Sequence, residues 1–155
     1  MDLTTDSRAN KAKQFFLQGY NCSQAVAMAF SDLIHIDEKT VARLVSGFGG
    51  GFGRLREVCG AFSGITFVMS ALYGYDNGKD FESKKNLYTE IQTLAEKCKE
   101  ENGSIICKEL LGLEPNSSIS AVPEKRNNAY YKKRPCAQIV ETCAKILEDY
   151  INNKQ

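Results

Sequence analysis

Val58-Cys59-Gly60-Ala61-Phe62-Ser63-Gly64-Ile65-Thr66-Phe67-Val68-Met69-Ser70-Ala71-Leu72-Tyr73 is the stretch that decides the fold. It carries no charge and is too long for an ordinary strand. A helix that is apolar nearly all round belongs in the middle of a protein, covered by others. Amphipathic neighbours are therefore expected on both sides, and the sequence supplies them. Ala9, Ala12 and Phe16 make one helical stripe, which stops at Gly19. Cys22, Val26, Ala29 and Leu33 make a second, with Asn21 as its N-cap. Asp37 caps a third that carries Val41, Leu44 and Val45, and the run from Gly47 to Gly53 must break it.

Beyond the central helix, Gly74 to Gly78 reads as a turn. A long polar helix follows from about Asp80 to Asn102, with Leu87, Ile91, Leu94 and Cys98 inside. Ser104 is expected to cap a short helix bearing Cys107, Leu110 and Leu111, closed by Gly112. Residues 113–134 read as a surface connection, and a last helix runs from about Pro135 to Tyr150 with Val140, Cys143 and Leu147 facing inward. β-Branched residues never alternate with polar ones for long, so no strand pattern competes. The expectation is an all-α fold: a single helical bundle of about six or seven helices with a Gly-rich interhelical loop, forming one domain over residues 1–155.

Composition narrows the function. The chain has 155 residues, 20 basic and 19 acidic side chains, and 43% hydrophobic residues. A fold of that length buries roughly 70% of its unfolded surface, so disulfide staples are not needed. The net charge of +1 argues against a function driven by polyanions. No run of about 18 apolar residues could span a bilayer. The start, Met1 to Asp6, has no basic region followed by an apolar stretch, so a cytoplasmic address is expected.

The unusual feature is six cysteines: Cys22, Cys59, Cys98, Cys107, Cys136 and Cys143. In a reducing compartment, cysteines in such number point to reactive or metal-binding thiols more than to structural disulfides, although free cysteine also fills cores. Cys22, Cys59, Cys107 and Cys136 fall in expected first turns of helices. There the unpaired amides and the positive end of the helix dipole favour an anion, and the thiolate is both the nucleophile and the metal ligand. Arg54 and Arg56 precede Cys59, and Lys132, Lys133 and Arg134 precede Cys136, adding positive charge. These four thiols are expected to converge at one end of the bundle. Cys98 and Cys143 sit mid-helix on apolar stripes and read as core.

Cys59-Gly60-Ala61-Phe62-Ser63-Gly64 reads C-G-A-x-x-G. With Gly19 to Val26, Ser46 to Gly53, Gly103 to Gly112 and Cys136 in order around it, the chain resembles the C_GCAxxG_C_C family of redox-active proteins over nearly its whole length. The resemblance implies that Cys22, Cys59, Cys107 and Cys136 are the characteristic set. It also implies redox chemistry or binding of a prosthetic group, with an iron–sulfur cluster among the suggestions. A departure is that no second cysteine stands beside Gly60.

Four thiolates can hold a zinc ion or an iron–sulfur cluster, or can cycle as dithiol and disulfide, for example Cys22 with Cys59. The four are separated by 37, 48 and 29 positions, so no C-x-x-C knuckle exists and only the whole bundle could assemble the site. Gly49, Gly50, Gly51 and Gly60 could bring bare backbone over Cys59 and donate amides to sulfur or to a cofactor. The glycine run fits no nucleotide-binding pattern. His35 is the only histidine, which excludes a histidine triad, and it reads as a surface or boundary residue. Residues 125–134 mix five basic side chains with two tyrosines; a solvated loop is favoured over nucleic-acid binding. A redox partner protein is the expected counterpart, and self-association is left open. The competing class is a helical binding or partner-docking module whose cysteines merely pack.

Overall fold

A computed structural model describes residues 7–114 and 116–154. The reading of the start at residues 1–6 lies outside them. The described residues form ten α-helices and one 3₁₀ turn, with no strand. In chain order the helices are α1 (Arg8–Leu17), α2 (Cys22–Met28), α3 (Ser31–Ile34), α4 (Glu38–Leu44), α5 (Gly49–Phe52), α6 (Gly60–Tyr73), α7 (Phe81–Asn102), α8 (Cys107–Leu110), α9 (Asn128–Lys133) and α10 (Cys136–Lys154); the 3₁₀ turn is Ser46–Phe48. The helix count exceeds the expected six or seven because single turns interrupt the connections. A six-residue helix, α9, lies inside the stretch expected to be a plain connection, and α10 runs four residues past Tyr150. None of the described helices is long and apolar enough to cross a membrane.

The uncharged stretch is the hub, as its pattern requires. In α6, Gly60 to Ile65, Val68 and Met69 are all buried, and the helix packs on α2, α7 and α10. The other long elements arrange around this axis: α1 lies on α10 and α2, and α2 also meets α4. One continuous core joins Phe16, Val26, Phe30, Ile65, Leu94 and Leu147. Fully burying side chains of this size contributes roughly 1.5–3 kcal/mol each.

Two glycines of the C-G-A-x-x-G segment set how close α6 comes to α2. A Cβ on Gly60 would lie 3.2 Å from Cys22 Cβ, and one on Gly64 would lie 2.9 Å from the Ser23 carbonyl and 3.0 Å from Val26 Cβ. They are four residues apart and so share a face of the helix. That bare face lets the start of α2 sit directly on the start of α6.

The glycine run is not an open loop. It coils through the 3₁₀ turn and α5, and five successive residues have positive φ: Gly50 at 68°, Gly51 at 74°, Phe52 at 66°, Gly53 at 59° and Arg54 at 65°. Left-handed backbone costs an L-residue roughly 1–2 kcal/mol, which is why glycine fills three of the five places. The coil is closed by amides of Gly53, Arg54, Arg56 and Glu57 donating to carbonyls of Gly47, Gly49, Gly50 and Gly51.

Candidate functional site

Each of the four cysteines expected to converge stands where a helix begins. Cys22 opens α2 behind a capping box: Asn21 Oδ1 accepts from the Gln24 amide at 2.9 Å, and Gln24 Oε1 accepts from the Asn21 amide at 3.0 Å. Such caps contribute about 1 kcal/mol. Asn21 Nδ2 also donates to the Ser46 carbonyl and Ser23 Oγ to the Val45 carbonyl, tying Cys22 to the glycine coil. Cys59 is the N-cap residue of α6, Cys107 is the first residue of α8, and Cys136 is the first of α10. The expected cap at Ser104 is displaced: Ile106 takes the cap position, while Ser104 Oγ accepts from the Ile106 amide at 2.9 Å and donates to Glu109. Ser104 can brace the turn from there because its short hydroxyl reaches the amide two residues on.

A backbone bridge brings two of these starts together. Val58 pairs with Ile106; the Cys59 amide donates to the Ile105 carbonyl at 2.7 Å and the Cys107 amide to the Glu57 carbonyl at 2.6 Å. Gly51 fits behind Cys107, where a Cβ would stand 2.8 Å from Cys107 Cβ. Helix α10 brings in Cys136.

All four thiols line one cavity of about 450 Å³. Gly49, Gly50 and Gly60 also line it, whereas Gly51 supports the wall behind Cys107. The thiols are unequal. Cys59 is buried, and burial pushes its pKa up to about 11, although the backbone amides of Phe62 and Ala61 oppose the shift. Burial also raises Cys107, opposed by Arg56, whose Nη1 lies 3.7 Å from Cys107 Sγ. Cys22 and Cys136 are half-buried, and each shifts the other's titration more than any other group does. Cys136 is drawn down to about 7, first by its interaction with the Cys22 thiol and then by the guanidinium groups of Arg134, Arg126 and Arg56, against burial. Cys22 is correspondingly raised, first by that interaction with Cys136 and then by burial. The thiolate belongs on Cys136, where the positive charge is. The electrostatic coupling is thus strongest between Cys22 and Cys136, while Cys59 lines the same cavity.

Arg126 was hidden in the sequence within a basic stretch that resembles a solvated loop. Its guanidinium turns inward, donating to the carbonyls of Phe16 at 2.9 Å and Tyr20 at 3.0 Å and stacking 4.2 Å from the Phe16 ring centroid. Arg134 also lines the cavity and pairs with Glu124, while Lys125, Lys132 and Lys133 face solvent. The aromatic pair Tyr130-Tyr131, four and five positions beyond Arg126, was the available signal of an inward face. His35 is exposed and ends α3 in a left-handed conformation. Cys98 and Cys143 form a separate buried pair, Sγ to Sγ 4.0 Å, between α7 and α10.

Among the described residues, no three His, Cys, Asp or Glu side chains gather tightly enough to hold a metal ion. The tetrahedral zinc site considered from the sequence therefore does not fit the side chains as they stand.

The fold and the cavity define a helical protein with a cationic, cysteine-lined site. The family model described as "Putative redox-active protein (C_GCAxxG_C_C)" matches residues 20–150, and the chain belongs to that family. No curated protein and no solved structure matches the chain.

Proposed function

We propose that the chain works by thiol–disulfide exchange, with Cys136 as the attacking thiolate and Cys22 as the resolving thiol. The observation that carries this reading is that Cys22 and Cys136 line one cavity with Arg56, Arg126 and Arg134, which favour the anion on Cys136. A thiol with pKa near the ambient pH is the most effective attacker, because it is largely ionised yet still nucleophilic. Attack on a disulfide R–S–S–R gives Cys136–S–S–R and releases R–S⁻. Cys22 then attacks Cys136 Sγ, forms the Cys22–Cys136 disulfide and releases the second R–S⁻ with the Cys22 proton. The substrate gains two electrons and the protein loses two. A dithiol protein in a reducing, cytoplasmic setting would return them. Cys59, buried and held protonated, and Cys107, beside Arg56, shape the wall.

The test is limited oxidation of the reduced protein by a small disulfide, followed by proteolysis and mapping of cross-linked peptides. Cys22–Cys136 is the expected first product. A first product at Cys98–Cys143, or none, overturns the assignment, and the second outcome favours the docking module with packing cysteines. Iron and inorganic sulfide bound through the four thiols in anaerobically prepared protein would also overturn it, in favour of the iron–sulfur centre that the family resemblance implies.

A further inference from the structure

The cavity wall is unbalanced in charge. Arg54, Arg56, Arg126 and Arg134 line it against a single acid, Glu124, a local balance of +3 in a chain whose whole net charge is +1. The guanidinium groups are held in place mostly by uncharged partners. Arg54 donates to the carbonyls of Ser120 and Val122, and Arg126 to those of Phe16 and Tyr20. Carbonyl partners fix a guanidinium without neutralising it, and each guanidinium has five donors, so donors remain for a ligand. Only Arg134 makes a short ion pair, with Glu124; Arg54 is 3.9 Å from the same carboxylate.

Concentrating cations around a small enclosed volume raises the local concentration of anions. Guanidinium forks match carboxylates in particular, by paired parallel hydrogen bonds. The nucleophile stands in the same wall. An anion drawn in by the arginines therefore arrives beside Cys136 and Cys22, both half-buried and reachable.

From this juxtaposition of four arginines and the Cys22–Cys136 pair in one cavity, we infer that the substrate is a small disulfide carrying carboxylate groups. This inference rests on the thiol-exchange reading above. The carboxylates sit among the guanidinium groups, Cys136 attacks the nearer sulfur, and the released fragment leaves as a carboxylate-bearing thiolate whose charge the arginines stabilise. Cys22 then completes the exchange, and two carboxylate-bearing thiols have formed for each disulfide consumed.

The test uses three disulfides of similar size: dithiodiglycolate, which is dianionic, 2-hydroxyethyl disulfide, which is neutral, and cystamine, which is dicationic. Each is mixed at neutral pH and low salt with reduced full-length protein, and the Cys22–Cys136 disulfide is followed by quenching and mass spectrometry. Each rate is divided by that of the same disulfide with mercaptoethanol, which removes intrinsic reactivity. The dianion is expected to be about tenfold or more ahead of the neutral compound, with the dication slowest. That order should compress in about 0.5 M salt. Arg56→Gln and Arg134→Gln slow all three through the thiolate, but the decisive readout is the anion-to-neutral ratio, which should fall in both. Equal normalised rates, or a preference for the dication, overturn the substrate class and leave thiol exchange standing. Failure of all three to form Cys22–Cys136 overturns thiol exchange itself. The salt series on the unsubstituted protein keeps the test decisive if a variant does not fold.

Discussion

Replacing Cys22 with alanine removes the leading cause of the low Cys136 pKa while leaving its arginines in place. With a pKa of about 7, close to half of Cys136 is thiolate at pH 7. At the ordinary value of 9.0, only about 1% would be. Full return would thus cut the thiolate about fiftyfold. Thiolate nucleophilicity rises with basicity, with a Brønsted slope of about 0.4–0.5, which restores roughly sixfold to tenfold over two units. The net effect at pH 7 is a slowing of about fivefold to eightfold, an upper bound because Arg56, Arg126 and Arg134 remain. Above about pH 10, where either thiol is ionised, the order inverts and the variant reacts faster by the nucleophilicity factor. The assay is the pH profile of iodoacetamide alkylation at Cys136, read from its peptide by mass spectrometry. An inflection near 9 in the unsubstituted protein, or one that stays near 7 after Cys22→Ala, refutes the assignment of the thiolate to Cys136 through Cys22.

Gly64→Ala should lower stability by about 1 kcal/mol in urea denaturation, because overpacking against the Ser23 carbonyl and Val26 outweighs the helix-propensity gain of about 1 kcal/mol; a net gain would contradict the close α2–α6 contact. Asp32 is held down to about 2, first by its hydrogen bond from Arg8. Because folding lowers this pKa, the stabilisation is present above about pH 4 and lost as pH falls through about 2. The carboxylate is largely exposed, so Asp32→Asn should cost only about 0.5 kcal/mol at pH 7 and almost nothing at pH 2; a cost independent of pH would mean that the ion pair is not its source.

The central helix was readable because burial on every side leaves an uncharged stretch, and Asn21 and Asp37 were readable as caps because each side chain accepts an amide three residues on, whereas the cap at Asp80 emerged only from the structure. The placement of Cys22, Cys59, Cys107 and Cys136 at helix starts follows from the same local rules. Three features were beyond those rules. The gathering of Cys22 and Cys136 in one cavity depends on how α10 lies across α2, which no local pattern contains. The left-handed coil at residues 50–54 needs closing bonds to carbonyls on its own preceding turn, and glycine content alone cannot specify them. Arg126 is indistinguishable in composition from its exposed neighbour Lys125, and only its distant partners, the carbonyls of Phe16 and Tyr20, turn it inward.

The cavity draws its thiols from residues 22, 59, 107 and 136, so it has no counterpart in any fragment of the chain. While the polypeptide is being made, Cys136 is the last of these to leave the ribosome, and until α10 docks, the cavity around Cys22 is incomplete. A nascent or truncated chain therefore presents ordinary, mostly protonated cysteines. On the thiol-exchange reading, reactivity follows the docking of α10 rather than the presence of the cysteines.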